Sequence, residues 1–331
     1  MPNWGILGTG RITRRLIDAV PTIAGQQVLA VASRSQEKAD SFAHEWGIPR
    51  AYGSYEALLA DPEVDYIYNA LPNSLHAEWS IRAAVAGKHV LCEKPLAASS
   101  AEAEAMFAAT RERKVFLMEG FMYRFHPQTL KIQELLAAGA IGEVRMVRVS
   151  FGFTATGDSN IRLNLALAGG ALMDVGCYCV NFARMAVGEA PAQVQALARW
   201  SETSVDETLL GTLDYPGGAV AQIACSIRAA RRGTAQIVGS AGILELDEPF
   251  TPTLDQPTTL RLFRGAANAT LEEITIPAAN HFKLEAEGFQ RLVEQGHGPW
   301  PEMPLLETLD NAATADALLH SAREGRAVSV G

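Results

Sequence analysis

The sequence predicts an α/β protein in which a parallel, helix-covered sheet is followed by a β-rich half with antiparallel hairpins. Three observations carry this. The apolar run Trp4-Gly5-Ile6-Leu7 closes in Gly8-Thr9-Gly10 and opens directly into a helical pattern. Short apolar strands and amphipathic helices then alternate as far as about residue 120, the pattern of parallel strands buried on both faces. Beyond Phe121 come further extended segments and turn signals such as Tyr215-Pro216-Gly217-Gly218, which favour hairpins.

In chain order, strands are expected over residues 3–7, 27–33, 66–69, 89–92 and 115–119. Helices are expected between them over 11–20, 36–46, 55–60, 74–86 and 99–113. Gly87 supplies a left-handed turn after one helix, and Asp61-Pro62 interrupts the chain before the strand at Tyr66. The second half begins with a helix over 126–138 and the alternating strand 144–149. Further strands are expected at 193–200, 207–214, 219–227, 234–238 and 259–263, with one helix, 171–186, interrupting them. Helices over 281–295 and 305–324 close the chain. No repeat or low-complexity linker is evident, so residues 1–121 and 122–331 are expected to form two closely joined domains. The last helix is free to dock on either.

The bulk numbers narrow the class. A chain of 331 residues exceeds the usual single-core limit of roughly 250–300, which makes two domains the default. Nearly half of it, 48%, is hydrophobic, yet no apolar run approaches the roughly 20 residues a bilayer span needs. The N-terminus lacks the basic, apolar and small-residue sections of a signal peptide. Cys92, Cys177, Cys179 and Cys225 show no disulfide or zinc spacing and read as buried reduced thiols, with no metal site. A net charge of −9 argues against a nucleic-acid surface. A cytoplasmic protein with neither membrane nor nucleic-acid partners is expected.

Several loops carry residue types suited to chemistry. Gly8 and Gly10 fit the first two glycines of a dinucleotide turn, where small residues let backbone N–H groups of Gly8, Thr9, Gly10, Arg11 and Ile12 approach a diphosphate. Thr13 stands at the third glycine position, larger than the usual residue at that helix–sheet contact. Taken alone the pattern is also that of an ordinary turn. The second strand ends in Ser33-Arg34-Ser35, where an acid would bind the two hydroxyls of an adenosine ribose. A hydroxyl and a guanidinium, with Lys38 on the following helix, suit a 2′-phosphate instead, so NADP is expected before NAD. The alternative is a capped helix with two solvated cations.

Leu71, Asn73 and His76 follow the next strand, at the end where ligands approach parallel sheets. Asn73 is placed either to orient a cofactor or to cap a helix, and His76 either to contact ligand or to face a domain junction. Glu93-Lys94-Pro95 stands at another strand end. Lys94 can polarise a substrate hydroxyl and Glu93 can accept from a ribose, where a charged surface turn would otherwise be assumed. Asp174 and Tyr178, separated by four positions, share one helix face. A phenol titrates near about 10, and a neighbouring ammonium stabilises its anion. The alternative is a buried Tyr–Asp hydrogen bond that supports packing.

At this point the chain resembles the glucose–fructose oxidoreductase family, also called Gfo/Idh/MocA. The resemblance spans essentially the whole chain, through GILGTGRI at 5–12, ALPNSLHAEW at 70–79, GKHVLCEKPLA at 87–97 and the segment 169–178. The segment 119–127, EGFMYRFHP, is similar to the sugar and dihydrodiol dehydrogenase branch. The resemblance implies a Rossmann domain, then an α/β domain with a large, open-faced, mostly antiparallel sheet. It implies that Lys94, Asp174 and Tyr178 surround a reactive hydroxyl, with Arg124 near the nicotinamide or substrate, or at a helix end. Arg162 is a further substrate-pocket candidate, or a solvated loop residue, and His126 begins the next helix. Many relatives carry histidine where Tyr178 stands, so the acid–base role depends on the branch. The activity implied is hydride transfer between NADP and a pyranose sugar or cyclic polyol, such as a D-xylose or glucose 1-dehydrogenase. A trans-dihydrodiol dehydrogenase is the enzymatic alternative, and an NADP-binding sensor without turnover is the non-enzymatic one. Covering the open sheet implies a homodimer or larger assembly.

Overall fold

Apolar strands bounded by helices build the N-terminal sheet. The computed structural model describes residues 2–157, 160–265, 269–296 and 305–331. Its first elements are β1 (Asn3–Leu7), α1 (Thr13–Ala19), β2 (Gln27–Ala32), α2 (Gln36–Trp46), β3 (Arg50–Tyr52) and α3 (Tyr55–Leu59). They continue with β4 (Tyr66–Asn69), α4 (His76–Val85), β5 (His89–Glu93), α5 (Ser100–Arg113) and β6 (Leu117–Gly120). The six strands are all parallel in the order β3-β2-β1-β4-β5-β6. The order reverses at β1 and β4, which opens a crevice at their carboxyl ends.

Helix starts follow local chemistry. Ser35, Ser54 and Ser99 each accept a backbone N–H from the first turns of α2, α3 and α5. Thr13 fits the space usually held by a smaller residue because its hydroxyl donates to Gly10 O at 2.6 Å, and it is fully buried.

The second sheet begins after α6 (Pro127–Ala137) with the long strand β7 (Val144–Thr154). Helix α7 (Cys177–Val187) precedes β8 (Gln193–Trp200), β9 (Asp206–Asp214), β10 (Val220–Ser226) and β11 (Arg228–Gly239). Then come β12 (Gly242–Asp247), β13 (Thr258–Arg264), β14 (Thr270–Ile276), α8 (His281–Gln295), α9 (Leu305–Glu324) and β15 (Val328–Ser329). The nine strands run β14-β13-β12-β11-β7-β10-β9-β8-β15, antiparallel except where β10 lies parallel to β7. Alternate residues of β8, β9 and β10 are buried, and α7 packs on β7 and β10. The other set stays exposed, including Leu197 and Leu210.

The described residues divide into two compact units, Met1–Phe125 with Asn280–Thr308, and His126–Ala279 with Leu309–Gly331. Helix α8 thus belongs with the first unit, although its position in sequence suggested the second. The reason is apolar burial: Phe289 lies 5.5 Å from the ring of Trp4 and 5.2 Å from that of Tyr66, within one buried cluster.

The expectation that no apolar run reaches membrane-spanning length is corrected. Leu165–Val187 is long and apolar enough by length and composition, but 67% of its most apolar window is buried. It is apolar because α7 lies within a protein core.

Candidate active site

Parallel register brings the predicted residues of the first unit to one edge. Neighbouring strands β2, β1, β4 and β5 end in Ser33-Arg34, Gly8, the Leu71–Asn73 turn and Glu93-Lys94. Gly8 has φ +94°, a conformation that favours glycine, and an added Cβ would press on Leu71 Cδ2 at 3.1 Å. Gly10 and Arg11 are exposed beside it. Ser33 is buried, while Arg34 and Lys38 are exposed. Arg34 lies close enough to Tyr55 to oppose the rise that burial causes in the phenol's pKa. The cap on α2 is Ser35, whose Oγ accepts from Lys38 N; neither the Arg34 nor the Lys38 side chain supplies it.

His76 reaches the turn that carries Lys94 through a backbone carbonyl. The imidazole of His76 is 1% exposed, with Nδ1 2.8 Å from Pro95 O and Nε2 2.8 Å from Leu71 O. It ties two strand-end turns together. Burial pushes its pKa down, against the pull of the two carbonyls. The Lys94–Pro95 peptide is cis. Glu93 is buried and accepts from Tyr68 Oη at 2.5 Å. Arg124 lies in the short helical turn Met122–Phe125, just ahead of α6. It is fully buried, and its two Nη groups donate to the Glu307 carboxylate at 2.8 and 3.1 Å.

Sequence reasoning missed two further carboxyls of this unit. Glu119, on β6 beside β5, accepts from Leu96 N at 2.8 Å. Burial pushes its pKa up to about 8. A folded chain then holds a proton that an unfolded one releases, so this group's contribution to stability falls from about pH 4.5 to about 8 and is level above. Glu285 on α8 is buried as well, and burial, then the Glu93 charge, push its pKa well up. The signal for Glu119 lay in its position, directly opposite Cys92 and next to a strand end. Glu285 carried none, because its neighbour Glu93 is distant in sequence.

In the second unit, Asp174 and Tyr178 stand where a π-helical turn, Leu172–Gly176, runs into α7. Such turns recur at functional positions. Asp174 accepts from Arg162 Nε at 2.5 Å, so Arg162 and Asp174 come together as a pair. The Arg162 guanidinium also lies 5.3 Å from the Phe153 ring. Tyr178 is 5% exposed, edge-on to Phe151 at 5.5 Å and tilted on Phe250 at 5.2 Å. Asp206 holds the start of this helical run, accepting from Leu172 N at 2.7 Å, and burial pushes its pKa up to about 6. Gly170 has φ +117°, and a side chain there would collide with the Asp206 carboxyl. His126 begins α6, where Nδ1 accepts from Gln128 N at 3.1 Å.

A six-stranded parallel sheet with a glycine turn after its first strand, followed by a nine-stranded mixed sheet, defines a Rossmann-type two-unit protein. The sequence matches the oxidoreductase family, NAD-binding Rossmann fold, over residues 2–121. It matches the GFO/IDH/MocA C-terminal domain over residues 129–245. The chain belongs to the GFO/IDH/MocA oxidoreductase family. It is 38% identical over 328 residues to D-xylose 1-dehydrogenase (NADP(+)) 2 of Haloferax volcanii, covering 99% of each chain. It is 43% identical over 325 residues to trans-1,2-dihydrobenzene-1,2-diol dehydrogenase of Xenopus laevis, covering 96% of this chain and 97% of that one. Among solved structures, a 3-ketoreductase from Actinomadura kijaniata with NADP and TDP-benzene superposes with a TM-score of 0.89 at 32% identity, covering 97% of each chain.

Proposed function

We propose that this protein is an NADP-dependent oxidoreductase acting on the hydroxyl of a pyranose sugar or a related cyclic diol. The observation that carries the reading is the row of neighbouring strand ends in the first unit, with a glycine turn, a hydroxyl–guanidinium pair and Lys94. The residues present fit the cofactor. Gly8 takes a positive φ that L side chains rarely adopt, and β2 is followed by Ser33 and Arg34 instead of a carboxylate. Backbone groups of Gly8, Thr9, Gly10, Arg11 and Ile12 would hold the diphosphate. Ser33, Arg34 and Lys38 would hold a 2′-phosphate, and Leu71, Asn73 and Glu93 the nicotinamide half. His76 would act by fixing the turns around it.

When bound, the nicotinamide takes up or returns the hydride. Tyr178 Oη takes the substrate hydroxyl's proton during oxidation and gives it back during reduction. Lys94 Nζ, as an ammonium, would polarise the substrate oxygen. Asp174 orients the substrate, itself held by Arg162. D-Xylose is the first substrate to assay, given the 38% identity to a xylose dehydrogenase over nearly the whole chain. A trans-dihydrodiol is the second, given the 43% identity to a dihydrodiol dehydrogenase.

The deciding experiment is a panel of aldoses and cyclic diols followed by nicotinamide absorbance, with NADP and NAD in parallel. Turnover preferring NADP is expected; no turnover on any member, with cofactor exchange verified, would overturn the enzyme reading. Arg34→Ala should weaken NADP by about 10- to 100-fold and leave NAD nearly unchanged, the loss of one charge-assisted contact. Equal losses for both cofactors would remove Arg34 from the phosphate site.

Two further readings belong to the same proposal. The exposed face of the second sheet, with Leu197 and Leu210, would be covered by another copy in a homodimer or larger assembly. Sedimentation should then show an oligomer that Leu197→Asp disperses, and a monomeric native protein would refute it. The place of action would be the cytoplasm, which suits four buried cysteines that form no disulfide among the described residues; fractionation that leaves the protein outside it would count against this.

A further inference from the structure

The interior behind Lys94 holds more carboxyls than cations. Within the first unit, Glu93, Glu119, Glu285 and Glu307 are all buried. Glu307 is matched by Arg124 in a bidentate pair. Glu93 accepts from the Tyr68 hydroxyl and from Lys94 N. Glu119 is differently placed. Its Oε1 has the peptide N–H of Leu96, two residues beyond Lys94. Its Oε2 has no hydrogen-bond partner among the described residues, and the residue is 5% exposed. A buried carboxylate with one neutral donor is poorly compensated, and the nearby guanidinium is already committed. A carboxylic acid suffers no such penalty.

We propose that Glu119 is a positioning residue that, as a neutral acid, anchors the Lys94-Pro95-Leu96 turn from the adjacent strand and keeps a further negative charge away from Lys94. The anchoring is local and stiff. Glu119 stands opposite Cys92 on β5, and the next residue, Gly120, leaves 3.1 Å between an added Cβ and Cys92 O. His76 grips the same turn through Pro95 O. The groups that face the Glu119 carboxyl are Leu96 N–H, Arg124, Glu307, Lys94 and, across the strand pair, the Cys92 thiol, and burial outweighs them in favouring the acid. Once ionised, Glu119 would strengthen the hold on the Lys94 proton and slow its part in catalysis. A carboxyl group is thus used for its shape and its acceptor oxygen at neutral pH, and for its charge only above it.

The inference rests on the oxidoreductase reading for its consequence, though not for its test. Full-length wild type, Glu119→Gln and Glu119→Ala are compared by the initial rate of reductive methylation at Lys94, read by peptide mass spectrometry. NADPH binding is followed by fluorescence, and turnover by D-xylose and the diol panel. At pH 7 the Gln variant should methylate like wild type, because a neutral group replaces a neutral group. Above the titration of Glu119 at about 8, the wild-type rate should fall below that of Gln. Ala should change the Lys94 rate at pH 7 and lower kcat about tenfold or more, with NADPH affinity held within about threefold; Gln should restore both. Faster methylation of Gln at pH 7 would mean that Glu119 is ionised there, and would overturn the proposal. So would an Ala variant with the wild-type Lys94 rate. Should Ala fail to fold, the Gln comparison alone decides. Should wild type turn over nothing, the oxidoreductase reading fails while the methylation rates still judge Glu119.

Discussion

Turnover by Lys94→Met and by Tyr178→Phe is expected to fall by about 100- to 10,000-fold, the range typical of removing a positioned acid–base group. Each change is chosen to subtract chemistry and little else. Phe keeps the ring that packs edge-on to Phe151 and against Phe250, so only the Oη is lost from a side chain that is already 5% exposed. Met keeps the length and apolar stem of a half-buried lysine while removing its charge. Melting temperatures should therefore stay close to wild type, and NADPH should still bind measurably. The pH–rate profiles supply a second readout. If Tyr178 is the acid–base group, the limb that it sets in the wild-type profile should be absent from Tyr178→Phe. Wild-type turnover in either variant would remove that residue from the mechanism. Loss of NADPH binding in step with turnover would make it a cofactor contact instead.

The parts of this arrangement legible in the sequence are those whose causes are local. The strand at Tyr66–Asn69 and the helices Gln36–Trp46 and His281–Gln295 fall where the patterns place them, because caps and apolar periodicity sit inside the segment. Arg50–Tyr52 was missed because three half-buried residues make no pattern. Thr270–Ile276 was missed because its charged, mostly exposed residues pair at the sheet's edge without burying a face. The strand ends with Gly8, Arg34 and Lys94 were readable because a parallel sheet puts all its carboxyl ends on one side. What each polar side chain bonds to was not readable. Arg124 and Glu307 are 183 positions apart, Asp206 and Leu172 are 34 apart, and nothing local announces either pair. The membership of α8 in the first unit has the same origin, since Phe289 finds Trp4 only once the chain has folded.

Burial gives the Arg124–Glu307 pair the largest expected effect on stability. The arginine side chain is 0% exposed and the glutamate 6%, so removing one partner takes the bidentate counter-charge from the other in a low-dielectric interior. Arg124→Met should cost about 3–5 kcal/mol, and by the usual conversion for domains of this size lower the melting temperature by on the order of 10 °C. Glu307→Gln should cost less, because an amide still accepts from one Nη and leaves the guanidinium some hydrogen bonding. The double change Arg124→Met with Glu307→Leu should recover much of the loss, since neither charge then needs compensation. A melting temperature unchanged in Arg124→Met would show that solvent or another cation reaches Glu307. The same variant also bears on Glu119. Arg124 is one of the charges that lower the pKa of that carboxyl and Glu307 one that raises it, so removing the arginine should push Glu119 above about 8 and carry the decline of stability with pH further into the alkaline range. A curve that instead levels off at lower pH would mean that the two glutamates do not share one electrostatic environment.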